Sequence, residues 1–198
     1  MNRVLFPQHQ YWHFSVPNSE ELTEYIDSID INLEKPAAWS SLCEIKTFYY
    51  TDHVEGSREK FSKLLTPSLE LLCEEIGQSR RDSIPLQIAL DNCWLNVYHK
   101  HHFQEPHDHW EADLVAVYFL DDSQEDYGDF YFFDTSASTI SRYPVWKDIY
   151  NYDSSWFPNV SKGDIIFFPA YTYHACTAHK SDVPRRSVAF NFKMRTAK

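Results

Sequence analysis

With 198 residues and a formal net charge of −11, the chain is long enough to bury its own core, and it carries no basic stripe able to neutralise phosphates, which argues against a nucleic-acid or anionic-membrane partner. Aromatic residues make up 17% of the chain and glycines number only four, a composition that suits a packed β-rich core and excludes low-complexity disorder. Four scattered cysteines (Cys43, Cys73, Cys93, Cys176) form no C-x-x-C pair and read as free thiols in a reducing compartment.

The opening MNRVLFPQHQYWHF has no charged segment followed by an apolar one, so no signal peptide is expected. No apolar run approaches the ~20 residues of a membrane-spanning helix, and the expected location is cytoplasmic. Asn18 and Glu21 are spaced as an N-cap and its N3 acid, and Leu22, Tyr25, Ile26 and Ile29 follow at helical spacing. A second helix is predicted from Ser57 to Ile76, where Phe61, Leu64, Leu65, Leu69, Leu72 and Ile76 form one stripe. Pro67 is set to kink or restart it and Gly77 to stop it.

From Leu86 the period changes. LQIALDNCWLNVYHK reads as one or two strands and DLVAVYFL as another; the acidic DDSQEDYGD reads as a solvated turn before the short aromatic strand FYFFD. GDIIFFPAYTYHACTAH and RRSVAFNFKM supply the last strands, while residues 135–160 read as a long irregular insertion. Helices first and strands after predict an α+β, mainly β, single domain over 1–198. Residues 1–85 would form a helical flank, and 86–198 a sandwich or closed jelly roll.

Five of the ten histidines lie between His99 and His109. His99, His101 and His102 sit in a polar, loop-like segment and read as surface residues. His107 and His109 are one residue apart, so on an extended backbone they project from one face, at the mouth of a core strand. His174 lies near the end of another strand. Two ligands from one strand mouth and a distant third would form a facial set that leaves one side of a metal open. Satisfied structural histidines account for the spacing equally well. Arg185 and Ser187 also share a face, and a guanidinium beside a hydroxyl suits a carboxylate ligand. The bland reading is an arginine at a solvent-facing edge; Arg186 points the opposite way, and a swap would exchange the roles of the two arginines.

The ordered motifs W-x-N-V from Trp94, H-x-H at His107 and His109, a strand ending Y-F-L, G-D-F, G-D-I-I-F-F-P, a distal His174 and R-x-S from Arg185 resemble the iron(II)- and 2-oxoglutarate-dependent dioxygenases, in particular a branch related to prolyl hydroxylases. The resemblance covers roughly residues 90 to 195. It implies a double-stranded β-helix (jelly roll) with N-terminal flanking helices. It also implies a hydroxylase-type reaction that uses Fe(II), 2-oxoglutarate and O2 and releases succinate and carbon dioxide. Carried over, it makes His107 and His174 iron ligands, pairs Arg185 with the distal carboxylate of 2-oxoglutarate and hydrogen-bonds Ser187 to the same group. Trp94, Asn96 and Tyr98 alternate towards the cavity, where Asn96 or Tyr98 would contact cosubstrate or substrate, or pack as ordinary strand residues.

One departure stands out. The family pattern is H-x-D or H-x-E, and here the second position is His109. A neutral set of His107, His109 and His174 is preferred, because the step from His109 to Leu120 matches that branch without a gap. The alternative takes His109-x-Glu111 as the H-x-E pair with His107 displaced, and Asp108 ranks last because it points away on a strand. Phe119 stands where relatives often offer a tyrosine hydroxyl, a role that Tyr98 would take over. Two other readings are a three-histidine cupin-type dioxygenase that does not use 2-oxoglutarate, and a non-catalytic jelly-roll binding module. The expected partner is a small-molecule or peptide substrate, with neither nucleic acid nor membrane. The segment from Tyr143 to Phe157 would serve as a lid or a homodimer contact.

Overall fold

The computed structural model describes residues 9–34, 43–79, 85–135, 142–145, 148 and 154–196. Half of the predicted insertion at 135–160 lies outside them, as do the first eight residues.

The elements run β1 (Trp12–Ser15), α1 (Ser19–Ser28), β2 (Lys46–Tyr49), α2 (Tyr50–His53), α3 (Ser57–Ser79), β3 (Leu86–Tyr98), β4 (Gln104–His107), β5 (Leu114–Phe119), β6 (Phe130–Phe133), β7 (Ser155–Trp156), β8 (Asp164–Pro169), β9 (His174–Cys176) and β10 (Arg185–Thr196). A six-stranded sheet has the order β1-β8-β5-β10-β3-β2 and a four-stranded sheet the order β4-β9-β6-β7, with antiparallel pairing throughout. Two sheets face to face with the helices outside give the mainly β double-stranded β-helix.

The large sheet is buried on both faces, and the alternation of its strands sorts side chains between two cores. Along β5, Leu114, Ala116 and Tyr118 enter the core under α1 and α3, while Val115, Val117 and Phe119 face the small sheet. On β8, Ile165 and Phe167 go outward and Ile166 and Phe168 inward. On β10, Val188, Phe190 and Phe192 join the helical side. Full burial of such side chains stabilises by about 1.5–3 kcal/mol each, so the phase of each strand is strongly fixed. Tyr118 follows that phase: its hydroxyl meets Thr23 Oγ1 at 2.7 Å and donates to the Ser19 carbonyl at 3.0 Å.

Three local expectations are corrected. Asn18 precedes α1, but its side chain makes no capping bond; its Nδ2 donates to the Leu64 carbonyl of α3 at 3.0 Å, tying the two helices together. The second helix continues through Pro67 and passes Gly77 to end at Ser79. The N-terminal flank is not purely helical, since β1 and β2 form the two edges of the large sheet. β1 is held there by Asp164, which accepts from Ser15 Oγ at 2.7 Å and lies 3.0 Å from His13 Nε2. Gly163, with φ +86°, makes the turn before it, a conformation that favours glycine.

Candidate metal and anion site

β4 ends at His107, which stands in register with His174 of β9. His109 follows where the chain turns back, with its backbone N–H on the Ala170 carbonyl at 2.9 Å. The three imidazoles converge: ring centroids lie 4.2 Å (His107–His174), 5.0 Å (His109–His174) and 5.2 Å (His107–His109) apart. One ligand nitrogen from each falls within 4.8 Å of the other two, and no other group of three such residues able to hold a metal occurs among the described residues.

The hydrogen bonds of the rings define their tautomers. Nδ1 of His107 meets the Glu105 carbonyl at 2.9 Å, Nδ1 of His109 the Asn191 Oδ1 at 2.6 Å, and Nδ1 of His174 the Thr172 carbonyl at 3.0 Å. Each partner is an oxygen that can only accept, so each Nδ1 carries the proton and each Nε2 keeps its lone pair. Desolvation by burial lowers all three pKa values, to about 4 for His109. Three neutral, oriented imidazoles with Nε2 lone pairs gathered in a dry site are the donor set a divalent transition metal takes.

Neither carboxylate near the motif belongs to this set. Glu111, the alternative second ligand, is exposed, and Asp108 is half-buried outside the cluster. The reason is backbone direction: beyond His109 the chain turns, with Ala112 N–H on the His109 carbonyl at 2.8 Å, so an H-x-E pair on one strand face does not form. His99 and His102 pack edge to face at 5.3 Å in their own loop and take no part in the three-histidine group.

The other end of the same cavity holds Arg185. It is 6% exposed, its guanidinium carbon lies 4.7 Å over the Tyr98 ring, and Nη2 donates to Cys176 Sγ at 3.3 Å. Its Nε has no hydrogen-bond partner, and no carboxylate among the described residues forms an ion pair with it. A buried guanidinium without a carboxylate is costly, and an anionic ligand relieves that cost. Arg186 has the opposite surroundings, paired with Asp27 at 2.8 Å and Asp121 at 3.2 Å on the outer face. Arg185 thus faces the cavity and Arg186 the outer surface.

Ser187, Asn96 and Tyr98 all line the cavity. Asn96 Oδ1 accepts from Thr47 Oγ1 at 3.0 Å. The Tyr98 hydroxyl donates to Gln104 Oε1 at 2.8 Å, and Gln104 Nε2 lies 3.4 Å from His107 Nε2. A polar chain thus joins the anion end to the histidine end. Gln104, Asn191 and Cys176 were not singled out from sequence. For Asn191 a signal existed, since 185, 187, 189 and 191 share one face of β10; Gln104 carried none. The cavity itself is about 10 Å³, room for a single water. Phe119, Phe130 and Arg185 form the wall it shares with a neighbouring pocket of about 260 Å³.

Comparison with known proteins gives consistent results. A family model described as "Putative 2OG-Fe(II) oxygenase" matches residues 92–191. A search of curated proteins finds no match. Among solved structures, the chain is similar to SnoN, a non-heme alpha ketoglutarate dependent epimerase from nogalamycin biosynthesis, at 17% identity and TM-score 0.63, covering 96% of this chain and 81% of that one. It is similar to HygX from Streptomyces hygroscopicus, whose structure has nickel and 2-oxoglutarate bound, at 12% identity and TM-score 0.59, covering 93% and 83%. It is also similar to a Pseudomonas putida prolyl-4-hydroxylase at 13% identity and TM-score 0.58, covering 95% and 94%. At these identities the likeness shows a shared fold.

Proposed function

The chain belongs to the 2OG-Fe(II) oxygenases, a family of oxidoreductases, and from that premise we propose that it is a hydroxylase in which His107, His109 and His174 hold Fe(II) and Arg185 anchors 2-oxoglutarate. The observation that carries this reading is the pairing, within one cavity, of three neutral imidazoles with a buried guanidinium that has no carboxylate partner among the described residues. HygX, with nickel and 2-oxoglutarate bound in the same fold, supports both ligands.

The roles of this chain's residues follow from their positions. Arg185 binds the distal carboxylate, with Ser187, two residues along the same face of β10, adding a hydroxyl donor. Tyr98 supports the guanidinium through its ring face and shields it from water. Glu105, Asn191 and Thr172 hold the Nδ1 protons, so that every Nε2 is presented as a donor. Bound iron would supply oxygen activation coupled to oxidative decarboxylation of the keto acid. The dry walls around it, Val117, Phe119, Phe130 and Ala189, exclude competing water. A five-carbon acid needs more room than the closed cavity gives, so Phe119 or Phe130 turns to open the shared wall when it binds.

His109 in place of a carboxylate favours a second reading, a three-histidine dioxygenase without a keto acid, in which Arg185 binds a substrate carboxylate. One experiment separates the two: purified protein with Fe(II), 2-oxoglutarate and oxygen is assayed for succinate, beside Arg185→Ala. Succinate from the wild type and its loss in the variant is expected. No succinate, together with 2-oxoglutarate binding that Arg185→Ala leaves unchanged, rejects the first reading. The free state of all four cysteines supports a cytoplasmic location, and no helix among the described residues is long and apolar enough to cross a membrane.

A further inference from the structure

We propose that the substrate of this site is a small organic cation, an amine or guanidinium, held in a pocket that opens directly onto His109. The inference rests on the oxygenase reading for the word substrate; as a binding site it stands on the pocket itself.

A pocket of about 300 Å³ is lined by Tyr49, Asn92, Trp94, Asp108, His109, Trp110, Glu111 and Asn191. Trp94 and His109 also line the inner cavity, so the two spaces meet at a member of the histidine set. Its volume is at the lower end of the range for small-molecule sites. The aromatic wall is continuous: Tyr49 lies 5.3 Å from Trp94, and Trp94 stacks on His109 at 5.5 Å. Trp110, next in the chain to His109, is 83% exposed at the rim. An indole so placed contributes nothing to the core, and its face is the surface that attracts a desolvating cation most strongly among side chains.

The charge of the pocket points the same way. Besides His109 and the Tyr49 phenol, its ionisable groups are the carboxylates of Asp108 and Glu111, and neither carboxylate forms an ion pair among the described residues. No lysine or arginine lines it. Lys193 is nearby, but its ammonium is held by the backbone carbonyl of Glu111. A carboxylate or phosphate in this pocket would face two like charges; an ammonium or guanidinium would meet two carboxylates and an aromatic face. The anion-binding end of the inner cavity lies apart at Arg185, so the two ligands of the reaction would be sorted by opposite charge.

The test is a set of calorimetric titrations of the full chain, with and without Fe(II) and 2-oxoglutarate, using three ring-matched probes: benzylamine (cationic at neutral pH), benzyl alcohol and benzoate. Benzylamine is expected to bind about tenfold tighter than benzyl alcohol, and benzoate not to bind. The double variant Asp108→Asn/Glu111→Gln is expected to weaken benzylamine about fivefold without moving benzyl alcohol. Trp110→Ala is expected to weaken it about threefold, and its exposure means that the fold tolerates the change. Equal binding of benzyl alcohol, or benzylamine affinity indifferent to both variants, overturns the inference. Because the titrations need no turnover, their failure beside a positive succinate assay rejects only the cationic substrate. Their success beside a negative one leaves the cation pocket standing and counts against the 2-oxoglutarate hydroxylase reading alone.

Discussion

His109 and Asn191, 82 residues apart in the chain, are joined by a 2.6 Å hydrogen bond from the imidazole Nδ1 to the amide oxygen. Asn191 sits where the pairing of β10 with β3 shifts register, between Asn191 and Phe192. It lies on the face of β10 that also carries Arg185 and Ser187. One strand therefore presents the proposed anion anchor at one end and the orienting partner of a proposed metal ligand at the other. Asn191→Ala removes the acceptor and frees His109 to change tautomer, and metal affinity is expected to fall about 10–100-fold. Metal titration of the variant checks this; affinity equal to wild type would mean that His109 is not a ligand.

Glu111 and His109 were the two contenders for the second ligand position. Removing Glu111's carboxylate with Glu111→Ala is expected to leave metal stoichiometry unchanged after dialysis, whereas His109→Ala leaves two imidazoles and loses the bound ion. The opposite pattern would restore the H-x-E set.

Ser187 is 3% exposed and shares the cavity face with Arg185. Ser187→Ala is expected to weaken 2-oxoglutarate by about 1.5–3 kcal/mol, the worth of a hydrogen bond to a charged group. Thermal stability should barely change, because the lost hydroxyl faces the cavity. An unchanged 2-oxoglutarate affinity would assign the distal carboxylate to Arg185 alone.

Asp164 fastens β1 to β8. Burial alone would raise its carboxyl, but the Ser15 hydroxyl, the Ser161 amide and His13 together hold it below the usual carboxylate value. A depressed folded pKa contributes stability that is fully present above the unfolded value, near pH 4, and is lost as pH falls through the lower folded value. Asp164→Asn is expected to cost about 1–3 kcal/mol at pH 7 in denaturant unfolding. It should also flatten the acid limb of the stability profile below about pH 4. An unaltered acid limb would show that other carboxylates dominate it.

Much of the fold was legible because the strands of the large sheet are long and apolar, and both their phases are buried. β5, β8 and β10 announce themselves by composition, and Arg185 by being a charge in such a run. The short aromatic β6 was also legible, but other short strands were hidden. QEPH in β4 contains Pro106 and no alternation, and β1 and β2, four residues each, gain their strand character from edges of a sheet assembled elsewhere in the chain. Asn18 carried the right residue type for a cap, yet its amide found a partner 46 positions away, which no local pattern encodes. Gly77 is tolerated inside α3 at a cost of about 1 kcal/mol relative to alanine, so it did not end the helix. Within the site the histidines and Arg185 could be named, and Asn191 was within reach because it shares a strand face with Arg185 and Ser187, whereas Gln104 was not: a polar residue in a short strand without alternation reads as solvent-facing until the opposite sheet is known.

The most direct test of the account is an anaerobic crystal structure with Fe(II) and 2-oxoglutarate. It predicts Nε2 of His107, His109 and His174 at about 2.0–2.2 Å from the ion, with Glu111 remaining in solvent. It also predicts the distal carboxylate of 2-oxoglutarate on the Arg185 guanidinium. An ion bound through Glu111, or a keto acid bound away from Arg185, would contradict it.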